Sequence, residues 1–274
     1  MRAPVVILGC GYTARRLRGF EQPPLAFSRS IEGLAEAGFY PVEWDAAAPD
    51  AAIRLAREVP QGATVLYSVP TLRLAGGGLE EPAPRLLPAL EGRARRLVYI
   101  STTGVYGPAH AVDETTPVNP QTERQRLRVA AERAVLAGSW GALVLRSAAI
   151  YGPGRGAHTS MRDGRYKLVG DGSGYISRIH VDDLAALVRA ALDSDLTGAF
   201  PVADAEPCSQ LAMAQLVCEL TGLPMPGRVA PEQADETRRG DRRVDGRAIR
   251  RLLGVELLYP SFREGVPAAL AAEA

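Results

Sequence analysis

Val5-Val6-Ile7-Leu8-Gly9-Cys10-Gly11-Tyr12-Thr13-Ala14 is the stretch from which the rest of the chain is read. Four apolar residues run straight into two glycines, and Ala14, Leu17 and Arg18 recur beyond them at helical spacing, so the segment predicts strand, tight turn and helix. Glycines at 9 and 11 let the turn close and let backbone N–H groups approach a pyrophosphate. The positive end of the expected helix would stabilise that charge, and the small Ala14 keeps helix and strand close. A lone Gly-x-Gly-x-x-Ala is a weak motif. Its place in the first strand-turn-helix of the chain is what points to a dinucleotide, held by Gly9, Gly11, Tyr12 and Thr13.

Working outward, the next strand, Pro24-Leu25-Ala26-Phe27, ends in Ser28-Arg29-Ser30. An acidic residue there would hold a ribose 2′-hydroxyl, whereas a guanidinium between two hydroxyls suits a 2′-phosphate, so NADP is expected ahead of NAD. The competing reading is a solvated Arg29 with Ser30 capping a helix over 31–37. Phe39 to Trp44 predicts a third strand ending at Asp45, and Asp50 the cap of a helix through Glu58. Thr64 to Ser68 predicts a fourth strand, stopped by Val69-Pro70. Gly76-Gly77-Gly78 reads as a mobile loop before a Pro-rich helix around Leu86 to Leu90. Strands alternating with helices at this pace imply right-handed crossovers and a parallel sheet; no internal repeat is visible.

The totals limit the function. With 274 residues, 46% apolar and 23% charged, the chain is long enough for a full α/β core. A net charge of +1 offers no basic field for nucleic acid or an anionic membrane, which leaves a small molecule as the expected partner. Met1-Arg2-Ala3 leads directly into the first strand and no run reaches membrane-span length, so the expected location is cytoplasmic. Cys10, Cys208 and Cys218 lack metal-site or disulfide spacing, and His110 and His158 have no neighbours in sequence that suggest a metal. Lys167 is the only lysine. Any chemistry that needs one has a single candidate.

Leu97-Val98-Tyr99-Ile100-Ser101-Thr102-Thr103-Gly104-Val105-Tyr106-Gly107 forms the fifth strand and the loop past its carboxyl end. This segment resembles the Ser-Thr-x-x-Val-Tyr-Gly signature of the extended short-chain dehydrogenase/reductases, the NAD(P)-dependent epimerase/dehydratase family. The glycine turn, Asp45, Leu145 to Arg155 and Arg178 to Ala185 match in order. The resemblance implies an α/β fold: a doubly wound parallel sheet (Rossmann) with a small C-terminal substrate-side subdomain. The dinucleotide-binding domain would span 1–150, with 176–203 returning to it, and the substrate-side elaboration 151–175 and 204–274. It also implies roles. Thr102 would hydrogen-bond the reacting oxygen, Asp45 would meet the adenine amino group, and Ser68, Val69 and Pro70 would pass the cofactor ribose. A homodimer through the helices between the fourth and fifth strands and from Pro120 to Ala137 is expected by analogy alone.

Where the family keeps its catalytic Tyr-x-x-x-Lys, the matching residues are Arg124 and Arg128, and Glu132 four positions on supports that register. No tyrosine stands four residues before Lys167. Arg128 can keep the ribose hydrogen bonds. Arg124, always cationic near neutrality, is unsuited to proton transfer but can stabilise a developing oxyanion. Tyr106 and Tyr151 are then the candidate proton donors, against a purely loop-shaping role. Arg155, Arg165 and Lys167 lie in the loop from Gly156 to Gly174 or beside it and, with Arg178, His180 and Arg243, are the candidate substrate contacts. The polar run Glu236 to Arg243 reads as a solvated loop or an anion-binding lid, and Leu257 to Gly265 as strand, turn and helix. Three functions stay open: an NADP-dependent oxidoreductase with non-standard acid–base residues, a non-catalytic NADP-binding regulator, and a nucleotide-sugar epimerase or dehydratase.

Overall fold

Val5–Leu8, three β-branched residues and a leucine, is β1 and lies inside a seven-stranded parallel sheet because its side chains find apolar partners on both faces. The other strands are β2 (Leu25–Ser28), β3 (Tyr40–Glu43), β4 (Ala63–Tyr67), β5 (Ala94–Thr102), β6 (Gly141–Ser147) and β7 (Gly198–Val202). Their spatial order is β7-β6-β5-β4-β1-β2-β3. The chain therefore reverses direction of travel across the sheet between β1 and β4, and an open crevice at the carboxyl ends of these strands is where such sheets take ligands. Leu8 faces both Phe27 and Tyr67 in register. The computed structural model describes residues 3–74, 76–234 and 239–274.

The period of two along the strands divides the core into two layers. Val6, Leu8, Val65, Tyr67, Leu97 and Tyr99 pack on one face against α1 (Ala51–Glu58), α2 (Ala83–Leu86) and α3 (Glu123–Ala137). Ile7, Leu66, Val98, Leu143 and Leu145 pack on the other. After α4 (Ala157–Arg162), the second layer is completed by Leu184, Leu187 and Val188 of α5 (Val181–Asp193). Each fully buried aliphatic side chain contributes about 1.5–3 kcal/mol. A smaller core joins Tyr151 and Met161 to α6 (Gln210–Thr221) and, after α7 (Arg247–Leu253), to Phe262 and Val266 of α8 (Phe262–Ala271). α3 starts at a capping box, in which Thr122 accepts from Gln125 N–H while the Gln125 side chain returns to the cap.

The fold departs from the sequence reading in several places. No α-helix follows β1: Ala14–Arg16 is a single 3-10 turn, after which Leu17 is extended. Gly19 at φ +76° and Pro23-Pro24 leave no room for a longer helix before β2. Residues 32–38 form turns and no helix forms over 31–37, so Ser30 caps nothing. β3 is confined to Tyr40–Glu43, and Asp50 precedes α1 without a side-chain cap hydrogen bond. The helix around Leu86 to Leu90 is one turn of α2 continued as a 3-10 helix. Gly76-Gly77-Gly78 lies in a hairpin between Leu72–Arg73 and Leu79–Glu80. The stretch 156–174 carries α4 and a short strand, Leu168–Val169, and no strand forms at 257–260. Of the run Glu236 to Arg243, residues 236–238 lie outside the described residues.

Candidate cofactor and substrate site

Gly9 stands at φ +89°, and a Cβ there would come 2.8 Å from the Ser68 carbonyl oxygen at the end of β4. Only glycine allows both the left-handed backbone and that approach. The Gly9 and Cys10 N–H groups donate to Phe27 O at 2.9 and 3.3 Å, so the turn is pinned between β2 and β4. Gly11 differs: no atom lies within 4 Å of where its Cβ would be. Thr13 is buried. Tyr12 donates to Pro153 O at 2.9 Å, under the Arg155 guanidinium 5.3 Å from its ring, which links the turn to the loop after β6. Arg15 donates to Ser30 O at 3.0 Å and Glu32 O at 2.9 Å, tying the turn to the loop that carries Arg29. Ser28 is half-buried at the end of β2, while Arg29 and Ser30 are exposed. Asp45 is exposed and accepts from Ala47 N–H at 3.0 Å, which shapes the turn after β3.

These residues fit a dinucleotide, with open space at Gly11 and unburied donors after β2. They differ from the expectation in one respect. With no α-helix after β1, there is no helix end to stabilise a pyrophosphate, and the positive groups around the turn are the side chains of Arg15, Arg16 and Arg29. Arg16 is partly neutralised by Asp182 at 3.2 Å.

Thr102 closes β5. Its Oγ1 accepts from Gly104 N–H at 3.1 Å, which leaves the hydroxyl proton free to donate outward. The loop beyond it is clamped from a distance in sequence. Arg242 donates to Ala109 O at 3.0 Å, to Thr103 O at 2.6 Å and to Gly107 O. Nothing local in the sequence marks this contact.

Arg124 and Arg128 sit one turn apart on α3 but have different surroundings. Arg124 is exposed and makes no hydrogen bond or ion pair among the described residues. Arg128 donates to the Tyr99 hydroxyl at 2.8 Å and lies 3.7 Å from Glu81. Burial pushes the Glu81 carboxyl up, and the Arg128 charge pulls it back. Burial likewise raises the Tyr99 phenol to about 12. Glu132 accepts from Ser101 at 2.6 Å and from Arg146 at 2.9 Å, a buried pair fixing α3 to β5 and β6.

Both candidate tyrosines are buried. Tyr106 accepts from Arg146 Nη1 at 3.2 Å, and burial raises its phenol. Tyr151 points its hydroxyl at Ser261 O, 3.4 Å away, and burial raises it further. Tyr151 nevertheless walls a cavity of about 490 Å³, together with Arg155, His158, Arg165, Arg178 and Met213. Arg178 is held inside by Ile176 O at 2.8 Å and Cys208 Sγ at 2.9 Å. His180 lies outside that lining. Its Nδ1 accepts from Asp182 N–H at 3.2 Å to cap α5, its ring rests 4.1 Å from that of Tyr259, and burial lowers it to about 4. Arg243 lies 3.7 Å over Tyr175 and borders a second cavity of about 510 Å³ instead. Asp204 walls that second cavity with both carboxyl oxygens buried and unpartnered, and burial raises it to about 8.

Among the described residues no helix is long and apolar enough to cross a membrane, and no three His, Cys, Asp or Glu side chains cluster as a metal site. Residues 83–202 match the NAD dependent epimerase/dehydratase family. A 3-diazoavenalumate denitrifying reductase from Streptomyces sp is 32% identical, over 49% of this chain and 49% of that protein. The match therefore spans about half the length of that relative. A functionally unknown conserved protein from Silicibacter pomeroyi DSS is 31% identical over 99% of both chains, with a TM-score of 0.78. MoeE5, solved with UDP-glucose and NAD, covers 98% of both chains at a TM-score of 0.79 but only 21% identity, which is a likeness of fold. With a doubly wound parallel sheet, the glycine turn at its centre and the Thr102 loop at its carboxyl edge, the chain shares the fold of its solved neighbours and carries, over residues 83–202, the NAD dependent epimerase/dehydratase family domain.

Proposed function

We propose that the chain is an NADP-dependent reductase of a small carbonyl compound, with Arg124 and Arg128 in the positions of the family's Tyr-Lys pair. The carrying observation is that open space at Gly11 and the free hydroxyl proton of Thr102 occur on the same carboxyl edge of the sheet. Similarity to a protein named as a reductase supports the direction of the chemistry. Bound against Gly9 and Gly11, NADPH supplies the hydride. Arg29, with Ser28 and Ser30, holds the 2′-phosphate, while Ser68 to Pro70 and Asp45 border the ribose and adenine. Thr102 donates a hydrogen bond to the carbonyl oxygen, and Arg124 stabilises the charge that builds there. The proton that completes the alcohol comes from water, since a guanidinium is a poor proton donor near neutrality and Tyr106 and Tyr151 are buried.

A second reading, an NADP-binding regulator without turnover, is favoured by the pairing of Arg128 with Glu81. NADPH consumption over a panel of aldehydes and ketones separates the two. The reductase reading expects at least one carbonyl to be reduced faster with NADPH than with NADH. Tight NADPH binding with no turnover on any of them supports the regulator, and absence of binding removes both.

A further inference from the structure

Three donors, one from the loop after β6 and two from α4, converge on one carboxylate at the edge of the 490 Å³ cavity. Gly154 N–H, in the loop after β6, donates to Glu273 Oε1 at 2.6 Å, and His158 Nε2 lies 2.9 Å from the same oxygen. Arg162 Nη1 donates to Oε2 at 2.5 Å. His158 and Arg162 are one turn apart on α4 and so share a face, whereas Glu273 arrives from beyond the end of α8. Burial acts against the charge of Glu273, yet the hydrogen bonds from Gly154, Arg162 and His158 hold its carboxyl at about 2. The cluster is built for a small oxyanion.

Two further observations place it on the cavity. His158 is a wall residue of the 490 Å³ space, as are its neighbours Arg155, Gly156 and Ala157. Its other ring nitrogen, Nδ1, is buried without a partner and lies on the Gly156 side, 3.2 Å from where a Cβ on Gly156 would stand. Glu273 is held by its side chain and by one helical bond to Leu270 O, so a change of rotamer vacates the donors without unfolding any element.

We propose that Gly154, His158 and Arg162 form a carboxylate-binding subsite at the rim of the cavity, in which Glu273 stands in for the carboxylate of an incoming ligand. That this ligand is the substrate rests on the reductase reading. The subsite itself is tested by binding alone. Propionate, the Glu side chain without its backbone, is titrated into the full chain and followed by calorimetry and by the His158 ring resonances. A resident carboxylate that fills the site nine-tenths of the time weakens a competitor about tenfold, so Glu273→Ala binds propionate about tenfold tighter than the wild type. The added Arg162→Ala substitution abolishes that gain, and thermal melts check that both variants fold. Glu273→Gln, which keeps the shape and drops the charge, changes affinity in the same direction. Unchanged affinity in the Glu273 variants overturns the proposal, as does a gain that survives removal of Arg162. Tighter binding of inorganic phosphate than of propionate overturns the assignment to a carboxylate.

Discussion

Arg128 donates a 2.8 Å hydrogen bond to the hydroxyl of Tyr99, so the cation expected to reach the cofactor ribose is turned toward the interior of the sheet. Glu81, 3.7 Å from the same guanidinium, is buried and also receives Thr71 Oγ1 at 3.0 Å. Removing one member of a buried pair leaves the other charge unsatisfied. Glu81→Ala is therefore expected to lose about 3 kcal/mol of stability in urea unfolding. Combining it with Arg128→Met should restore most of that loss. A single variant as stable as the wild type would mean that the two charges are not coupled.

Arg124 has the opposite setting, exposed and without a partner among the described residues. Its truncation to Ala is expected to change stability by no more than about 0.5 kcal/mol. If it meets the developing oxyanion, the turnover of a reducible carbonyl falls by about a hundredfold. Parallel loss of turnover and stability would indicate a structural role instead.

Much of this arrangement was legible in the sequence, for reasons of period and punctuation. Val5 to Leu8, Thr64 to Tyr67 and Leu97 to Ser101 declare themselves as strands because buried parallel strands are continuous apolar runs. The helix after β1 was misread because Ala14, Leu17 and Arg18 carry the right spacing; Gly19 and Pro23-Pro24, which cut it short, carried the better information. Glu132 falls on α3 as the sequence suggests, but its bonds to Ser101 and Arg146 depend on how α3 docks. The clamp of Arg242 on the Thr102 loop and the seat of Glu273 join segments more than 100 residues apart. No local pattern encodes such contacts.

Asp204 makes stability depend on pH. Its folded value of about 8 lies above the ordinary carboxylate value of 3.8 because burial penalises the charged form. The unfolded chain therefore holds fewer protons than the folded one between those values, and Asp204 makes stability fall as pH rises across that window. Asp204→Asn is expected to remove the decline, so that the variant gains on the wild type from pH 5 to pH 8 (about the span of the window) in melts. Parallel curves for the two proteins would show that Asp204 is ionised in the fold.

The two glycines of the turn separate folding from binding. Gly9→Ala forces a Cβ to 2.8 Å from Ser68 O at φ +89°, against the Ser68–Val69 peptide, and is expected to cost more than about 1 kcal/mol. Gly11→Ala meets no protein atom within 4 Å and should melt with the wild type while binding NADPH more weakly. Undiminished binding by Gly11→Ala would place the pyrophosphate elsewhere.

The most direct test of the account is a fluorescence titration of NADPH and NADH into the wild type and Arg29→Ala. The account predicts that the wild type binds NADPH at least about tenfold more tightly than NADH, a difference of about 1.4 kcal/mol, and that Arg29→Ala loses that preference while keeping its affinity for NADH. Equal affinity for the two cofactors in the wild type, or a preference that survives the loss of Arg29, would contradict it.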